Sequence, residues 1–167
     1  EVSPLGTVCQ LLPKHTGLPE DEALNVLASQ GRPLFGVRFK VVDDMGQRLP
    51  HDGVSIGHLM VQGNWVISQY YGKIGLATED GWFHTGDVGS LDANGYMRIT
   101  DRSKDVIKSG GEWISSIDIE NIALEESGVE SAACIAASCE TWGERPVLYV
   151  VLKPDAELSA HQLLARY

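Results

Sequence analysis

Apolar and polar side chains alternate with a period of two over the middle of the chain. From Phe35 to about Thr100 this alternation runs through FGVRFKVVDD, VSIGHLMVQGNWVIS, GWFHTGDVGSL and GYMRITDR. Such a period is typical of strands that bury one face of a sheet. We therefore predict an antiparallel β-barrel or a curled sheet for this region.

Short turn sequences separate these predicted strands. They are Asp44-Met45-Gly46, Asp52-Gly53, Asp80-Gly81 and Asn94-Gly95. Pairs of Asn or Asp with Gly favour two-residue hairpin turns, because both residues tolerate a positive φ. Asn94-Gly95, which lies between two alternating runs, is the strongest hairpin prediction in the chain.

A short helix is predicted before the alternating region. The segment from Pro19 to Ser29 is acidic in its first turn, and it is followed by Gly31 and Pro33. Acidic residues favour the start of a helix, whereas glycine and proline favour its end. The segment is therefore predicted to form a single helix within a longer loop.

The pattern after the alternating region predicts a strand, helix, strand, strand and helix. DVIKSGGEWIS predicts a hairpin around Gly110-Gly111, and VESAACIAASCE and PVLYVVLK predict two strands. Ser115 with Asp118 is a capping pair for a helix that continues to about Ser127, with Gly128 as its stop. SAHQLLARY predicts the beginning of another helix.

The change of pattern predicts a domain boundary between Arg102 and Asp105. Residues 1–102 would then end in a barrel-like subdomain, and residues 103–167 would form a small α+β domain. The predicted fold class is therefore mixed, with an antiparallel β part followed by an α+β part.

The charge of the chain limits its partners. The 167 residues carry 13 Lys and Arg against 23 Asp and Glu, which gives a net charge of −10. A nucleic acid would be repelled unless basic residues clustered on one face, and the sequence has no such cluster. A local pocket of glycine amides, a lysine and a metal ion can still bind an anionic nucleotide.

Hydropathy and cysteine content bear on location. The sequence has no run of 18 apolar residues and does not open with the basic and apolar segments of a signal peptide. We predict a cytoplasmic protein. Its three cysteines, Cys9, Cys134 and Cys139, are too scattered for a disulfide framework or a metal site, and they are predicted to be buried thiols.

The sequence HTGD contains the first candidate binding residue. Glycine allows a tight turn after a strand, and Asp87 beside it would present a carboxylate at the rim of the sheet. Its two oxygens could accept hydrogen bonds from the vicinal hydroxyls of a ribose. An ordinary Asx turn between strands is the alternative, and the residues alone leave both open.

The next candidates lie at the predicted boundary. The guanidinium of Arg102 could reach ribose or phosphate oxygens, or it could form a surface pair with Asp101 or Asp105. Lys104 is either a functional cation or a solvated linker charge.

Two glycines and a tryptophan complete the set of candidates. Gly110 and Gly111 permit a ligand to approach the backbone closely, or they simply form a hairpin turn. Trp113 is either core filler or the lid of a pocket.

The run WFHTGDVGSLDANGYMRITDRSKDVIKSGGEWISSIDIEN resembles the region that joins the large and small domains of the adenylate-forming enzymes. These are the acyl-CoA synthetases, the peptide-synthetase adenylation domains and firefly luciferase. EVSPLGTV resembles the end of the fifth core motif of this family, GHLMVQGNWVISQYY the sixth, WFHTGD the seventh and DRSKDVIKSGGEWIS the eighth. The motif SGGEWIS is most similar to the corresponding motif of medium- and long-chain fatty acyl-CoA synthetases.

The resemblance implies that residues 1–102 are the C-terminal part of the large adenylation domain and that residues 103–167 are an incomplete small domain. Glu1 would coordinate Mg²⁺ at the phosphates of ATP. Asp87 and Arg102 would hold the ribose from two sides. Lys104 would be the hinge about which the small domain swings between adenylate-forming and thioester-forming poses.

The resemblance also implies a path for the second substrate. Gly110 and Gly111 would line the passage for the pantetheine arm of CoA, and Trp113 would pack near the adenylate. The implied ligands are ATP, CoA and a fatty acid, with Mg²⁺ as cofactor. Acyl-chain selectivity would reside mainly upstream of Glu1.

The chain departs from the family pattern in ways that predict an inactive fragment. The phosphate-binding loop rich in Thr, Ser and Gly is absent, and so is the terminal Pro-x-x-x-x-Gly-Lys segment. His58 replaces the Glu of the family's Gly-Glu-Leu. Gly110 stands where luciferase has a second lysine, which disfavours an oxygenase.

We rank three hypotheses. The first is a fragment of an AMP-forming acyl-CoA synthetase, and the second is an adenylation domain that loads a carrier protein. The third is a non-catalytic, truncated binding module. Because the remaining large domain would cover part of the barrel-like subdomain, we also predict an exposed apolar patch and self-association of the fragment.

Overall fold

The computed structural model describes residues 1–73 and 77–167. The chain divides into two compact units, Glu1–Ser103 and Lys104–Tyr167. Both units combine antiparallel strands with short helices. The predicted mixed fold class, an antiparallel β part followed by an α+β part, is confirmed.

The first unit begins with a short two-stranded ladder and one helix. Its first elements are β1 (Thr7–Val8), a 3-10 turn (Pro13–His15), α1 (Glu20–Leu27) and β2 (Arg32–Pro33), and β1 pairs antiparallel with β2. The helix predicted from Pro19 to Ser29 is present, with Pro19 as its N-cap. Its acidic first turn interacts favourably with the positive end of the helix dipole.

A four-stranded antiparallel sheet forms the body of the first unit. Its strands are β3 (Val37–Val42), β4 (Gly57–Gly63), β5 (Phe83–Leu91) and β6 (Met97–Arg102), paired in chain order. Within the described residues β3 and β6 are the two edge strands, so the sheet is open. The prediction of a barrel is therefore wrong, because closing a barrel around packed side chains takes about eight strands.

The hairpin predicted at Asn94-Gly95 joins β5 to β6. The side-chain Oδ1 of Asp92 accepts hydrogen bonds from the backbone N–H groups of Asn94 and Tyr96, both at 2.8 Å. One carboxylate thus orders the turn and thereby the pairing of the two strands.

Apolar side chains of this sheet form two buried clusters. One contains Val41, Leu59, Leu91 and Met97, and the other contains Val37, Val61 and Phe83. Cluster members recur at even spacings, Leu59 and Val61 on β4 and Val37 and Val41 on β3, as the period of two predicts. Some intervening positions, such as Met60, are buried as well. This packing fixes β5 and β6, the strands that carry the candidate site.

The second unit contains a sheet with the order β8-β7-β10-β9. Its elements are β7 (Ile107–Ser109), β8 (Glu112–Ile114), α2 (Ser116–Leu124), β9 (Val129–Cys139), β10 (Gly143–Leu152) and α3 (Ala160–Leu164). Every predicted element of this unit is present. No helix in the described ranges, 1–73 and 77–167, has the length and apolar content to cross a membrane.

The predicted capping pair begins α2 as expected. Ser115 Oγ accepts a hydrogen bond from the backbone N–H of Asp118 at 3.1 Å. The helix ends at Leu124 rather than near Ser127. The prediction was too long because the chain tightens into turns there, with Glu126 N–H donating to the carbonyl of Ala123.

The cysteines are less uniformly buried than the sequence predicts. Cys134 is 7% exposed, whereas Cys9 and Cys139 are half-buried. All three are free thiols.

Candidate functional site

The pairing of β5 with β6 sets Asp87 directly opposite Arg102. Arg102 Nη1 lies 3.0 Å from Asp87 Oδ1, and the Arg102 side chain is 62% exposed against 20% for Asp87. The sequence left Arg102 with Asp101 or Asp105 as alternative partners. The structure pairs its guanidinium with Asp87 instead.

The side chain of Thr85 anchors the backbone of Asp87. Thr85 Oγ1 donates to the carbonyl oxygen of Leu59 on β4 at 3.0 Å and accepts from the N–H of Asp87 at 3.1 Å. HTGD therefore lies inside β5, as the alternation through GWFHTGDVGSL predicts, and the alternative of an Asx turn between strands is wrong. The strand bulges at this point, because Met60 pairs with His84 and His58 with Val88, so that residues 85–87 lie opposite the single residue Leu59.

The Asp87–Arg102 pair places hydrogen-bond acceptors and donors side by side on β5 and β6. A carboxylate has about four lone-pair positions and a guanidinium has five N–H donors, so one 3.0 Å contact between them does not use them all. A ligand with neighbouring hydroxyls beside an anionic group matches this combination.

Glu1 is held by a tyrosine of the same unit. Tyr70 Oη donates to Glu1 Oε1 at 3.0 Å, and the backbone N–H of Ile67 donates to the Glu1 carbonyl at 2.9 Å. Burial of its ring and the hydrogen bond to the Glu1 carboxylate both raise the pKa of Tyr70, which keeps the phenol protonated as a donor.

The environment of Glu1 fits a role toward Mg²⁺. No group of three or more His, Cys, Asp or Glu side chains that could hold a metal occurs among residues 1–73 and 77–167. Mg²⁺ bound with ATP takes one or two protein carboxylates, and phosphates and waters fill the other positions. A single oriented carboxylate is therefore a sufficient protein contribution.

Lys104 is the first residue of the second unit. Its side chain is 81% exposed, and its Nζ lies 3.9 Å from Asp105 Oδ2. Such an exposed pair contributes little to stability.

Gly110 and Gly111 form the two-residue turn between β7 and β8 that the sequence predicts. Their φ angles are +61° and +90°, and a Cβ at Gly110 would lie only 2.8 Å from Cε3 of the Trp142 ring. No atom lies within 4 Å of the corresponding position at Gly111. Of the two glycines, only Gly111 faces open space within its unit.

Trp113 is half-buried on β8, an edge strand of the second sheet. It pairs across the ladder with Lys108, whose Nζ lies 4.2 Å from the centroid of the tryptophan ring. A cation over an indole face is a favourable contact. Trp113 is thus neither core filler nor fully exposed.

The structure brings some of the predicted site residues together and adds others. Asp87 and Arg102 are in contact with each other. The other predicted site residues contact residues outside the predicted set, as Glu1 contacts Tyr70 and Trp113 contacts Lys108. Thr85 stood in the quoted motif, but Tyr70 lies 69 residues from Glu1, so no local signal links them. Trp142 could have been noticed as a large aromatic residue between two predicted strands.

Three comparisons with known proteins bear on this site. Residues 118–166 match the family model of the AMP-binding enzyme C-terminal domain. Over 98% of its length the chain is 49% identical to the medium-chain-fatty-acid–CoA ligase of Ectopseudomonas oleovorans. Over 98% of its length it is 51% identical to the 3-methylmercaptopropionyl-CoA ligase of Ruegeria lacuscaerulensis.

The chain covers 30% and 31% of the length of these two curated relatives. Among solved structures, it is similar to o-succinylbenzoate CoA synthetase from Bacillus subtilis in complex with an acyl-adenylate intermediate. That similarity has a TM-score of 0.73 at 32% identity, over 89% of this chain and 30% of the other.

Proposed function

We propose that this chain, which belongs to the adenylate-forming enzymes, is part of an AMP-forming acyl-CoA synthetase. A carboxylate oxygen would attack the α-phosphorus of ATP, and the bond to the β-phosphate oxygen would break with release of pyrophosphate. The thiolate of CoA would then attack the acyl carbonyl, and AMP would leave with the electrons of the broken C–O bond.

The observation that carries the proposal is the Asp87–Arg102 pair. Its carboxylate would accept hydrogen bonds from the two ribose hydroxyls of ATP and of the acyl-adenylate. Its guanidinium would donate to the ribose or to phosphate oxygens from the other side. Because both residues belong to paired strands with a packed face, the grip is preorganised.

Glu1 would contribute the carboxylate that holds Mg²⁺. The metal ion would neutralise charge on the phosphates of ATP while pyrophosphate leaves. Tyr70 would orient Glu1, because the phenol donates to one carboxylate oxygen and the other can face the metal.

The second unit would serve the thioester step. We infer that Lys104, at the start of this unit, is the hinge. Gly111, which faces open space, would line the passage for the pantetheine arm, with Gly110 beside it. Trp113 would pack near the adenylate.

The named relatives support CoA as the acceptor more strongly than they support one acid. Relatives at 49% and 51% identity are named for different acids, a medium-chain fatty acid and 3-methylmercaptopropionate. The motif SGGEWIS supports a medium- to long-chain fatty acid as the proposed substrate. A cytoplasmic location and self-association of the chain stay predictions.

The experiment is an activity measurement on the full-length protein with ATP, Mg²⁺ and a series of fatty acids. We expect pyrophosphate release with the acid alone and acyl-CoA and AMP after CoA is added, all identified by mass spectrometry. Failure to form an acyl-adenylate from any carboxylic acid would overturn the proposal. The 167-residue chain by itself is expected to show no turnover, and light scattering on it tests self-association.

A further inference from the structure

One imidazole connects the ends of three strands in the first sheet. His58 on β4 has its Nε2 3.0 Å from Asp44 Oδ1 and its Nδ1 3.3 Å from Ser103 Oγ. Asp44 follows the end of β3, and Ser103 follows the end of β6. The imidazole therefore bridges two chain segments that leave the sheet at separate strands.

Ser103 occupies a special position in the chain. It is the last residue of the first unit, and Lys104 is the first residue of the second. Its backbone N–H donates to the carbonyl oxygen of Gly86 at 2.9 Å. Ser103 directly follows Arg102 in the chain, and its hydrogen bond reaches Gly86, which directly precedes Asp87. Ser103 is therefore next to both members of the Asp87–Arg102 pair, the candidate ribose-binding pair.

We propose that His58 is a positioning residue that fastens the end of the first unit. His58 holds Ser103 in place. The backbone rotation that moves the second unit can then occur only at Lys104 and the residues after it. The geometry of the Asp87–Arg102 pair is thereby kept while the second unit moves. The catalytic part of this inference rests on the proposed function, whereas the fastening itself does not.

The chemistry of the three side chains allows both hydrogen bonds of the imidazole to form at once. The carboxylate of Asp44 accepts from the Nε2–H of His58, and the serine hydroxyl can either donate to Nδ1 or accept from it. The His58 side chain is 25% exposed and that of Asp44 is 58% exposed, so water competes less for the bond to Ser103 than for the bond to Asp44.

A glutamate at position 58 would lose the hydrogen bond to Asp44. It would set a second carboxylate against Asp44, where the imidazole Nε2 now lies 3.0 Å from Asp44 Oδ1. Two like charges at such a distance repel each other. The replacement of the family's glutamate by His58 therefore fits the presence of Asp44.

The first test measures the fastening in the full-length protein without using activity. Hydrogen exchange of the Ser103 amide and tryptic cleavage after Lys104 are followed by mass spectrometry. We expect His58→Ala and Ser103→Ala to speed both by about five- to tenfold, the change expected for one lost net hydrogen bond. His161→Ala, which removes an exposed histidine from α3, is the matched control and should leave both rates unchanged.

The double variant separates a direct contact from general damage. If His58 acts through Ser103, His58→Ala with Ser103→Ala should be no faster than either single variant. His58→Gln, whose amide supplies both a donor and an acceptor, should restore much of the slow exchange. Rates for His58→Ala equal to those of His161→Ala would overturn the proposal, and if His58→Ala does not fold, Ser103→Ala and His58→Gln decide it.

A second test measures the catalytic consequence. Pyrophosphate release and CoA-dependent thioester formation are compared in wild type and His58→Ala. Because only thioester formation follows the movement of the second unit, confinement of that rotation by His58 predicts that the ratio of the two rates changes several-fold, and an equal loss of both rates would contradict it. An inactive wild type would refute the proposed function, but the exchange and cleavage rates would still test the fastening.

Discussion

Arg102 and Asp87 are direct partners in the pairing of β5 with β6, and their side chains meet at 3.0 Å. The Arg102 side chain is 62% exposed, so solvent screens the pair and its net contribution to folding is small, about 0–1 kcal/mol. Because the Asp87–Arg102 pair contributes little to the free energy of folding, its two side chains can serve ligand binding. This separation of stability from binding leads to the first prediction.

Asp87→Ala should weaken nucleotide use much more than it weakens the fold. In the full-length protein we expect kcat/KM for ATP to fall by at least about tenfold, because hydrogen bonds to a charged group are lost. The free energy of unfolding should change by less than about 1 kcal/mol. Pyrophosphate release and urea unfolding measure the two quantities.

The matched control for that variant is Glu79→Gln, which neutralises a carboxylate whose side chain is 83% exposed. It should leave both quantities at wild-type values. A large loss of stability with unchanged kcat/KM in Asp87→Ala would mean that the pair is structural and does not grip a ribose.

Gly110 should be intolerant of a side chain because of Trp142. A Cβ at Gly110 would lie 2.8 Å from Cε3 of the ring, and its φ is +61°. We expect Gly110→Ala to lower the free energy of unfolding by about 1–3 kcal/mol, a typical cost of overpacking. Thermal and urea unfolding of the variants provide the measurement.

A double-mutant cycle isolates the contact between Gly110 and Trp142. In a Trp142→Ala background, Gly110→Ala should cost less than it does in wild type, because the clashing ring is gone. An equal cost in both backgrounds would attribute the whole effect to the positive φ of Gly110 and none to Trp142.

Local features of this fold could be predicted from the sequence. The Asn94-Gly95 turn and the Asp92 side chain that orders it lie within five residues, and this hairpin joins the strands that pair Asp87 with Arg102. The Ser115 cap of α2 is equally local. Each depends on neighbouring residues, which is why the pattern was enough.

Features that depend on distant residues could not be predicted. The contact of Tyr70 with Glu1 spans 69 residues, and that of His58 with Ser103 spans 45. The bulge of HTGD against β4 depends on a contact across 26 residues, and the alternation predicts the strand but not this bulge. Barrel closure was predicted wrongly because a period of two reports a buried face but not whether the edge strands meet.

Asp52 should make stability depend on pH in the acid range. Backbone N–H groups of Ser55 and Val54, together with the Ser55 hydroxyl, lower the pKa of Asp52 from 3.8 to about 2. Because the folded state lowers this pKa, the ionised carboxylate stabilises the fold above pH 3.8, and the contribution is lost as pH falls through about 2.

The difference in urea midpoint between wild type and Asp52→Ala reports this contribution. It should be largest and constant above about pH 5 and should shrink steadily toward pH 2. A difference that stays the same from pH 6 to pH 2 would show that the Asp52 carboxylate does not act through its ionised form.

Tyr70→Phe should raise the Mg²⁺ requirement of the full-length protein. The substitution keeps the ring and removes only the hydroxyl that donates to Glu1 Oε1 at 3.0 Å. Loss of a partner that orients a metal ligand typically weakens metal affinity by about 10- to 100-fold, and the lower end applies here because Tyr70 is 43% exposed. We therefore expect about a tenfold rise in the Mg²⁺ concentration for half-maximal pyrophosphate release.

Tyr71 provides a control for the Tyr70 variant within the same segment. It neighbours Tyr70, and its side chain is fully exposed, so Tyr71→Phe should behave as wild type. Binding of Mn²⁺ in the presence of ATP gives a second readout that does not require turnover. If both variants need the same Mg²⁺ concentration and bind Mn²⁺ equally, Glu1 either does not hold the metal or does not depend on Tyr70 for its orientation. Glu1→Gln then decides between these two, because only a true ligand makes that variant lose Mn²⁺ binding.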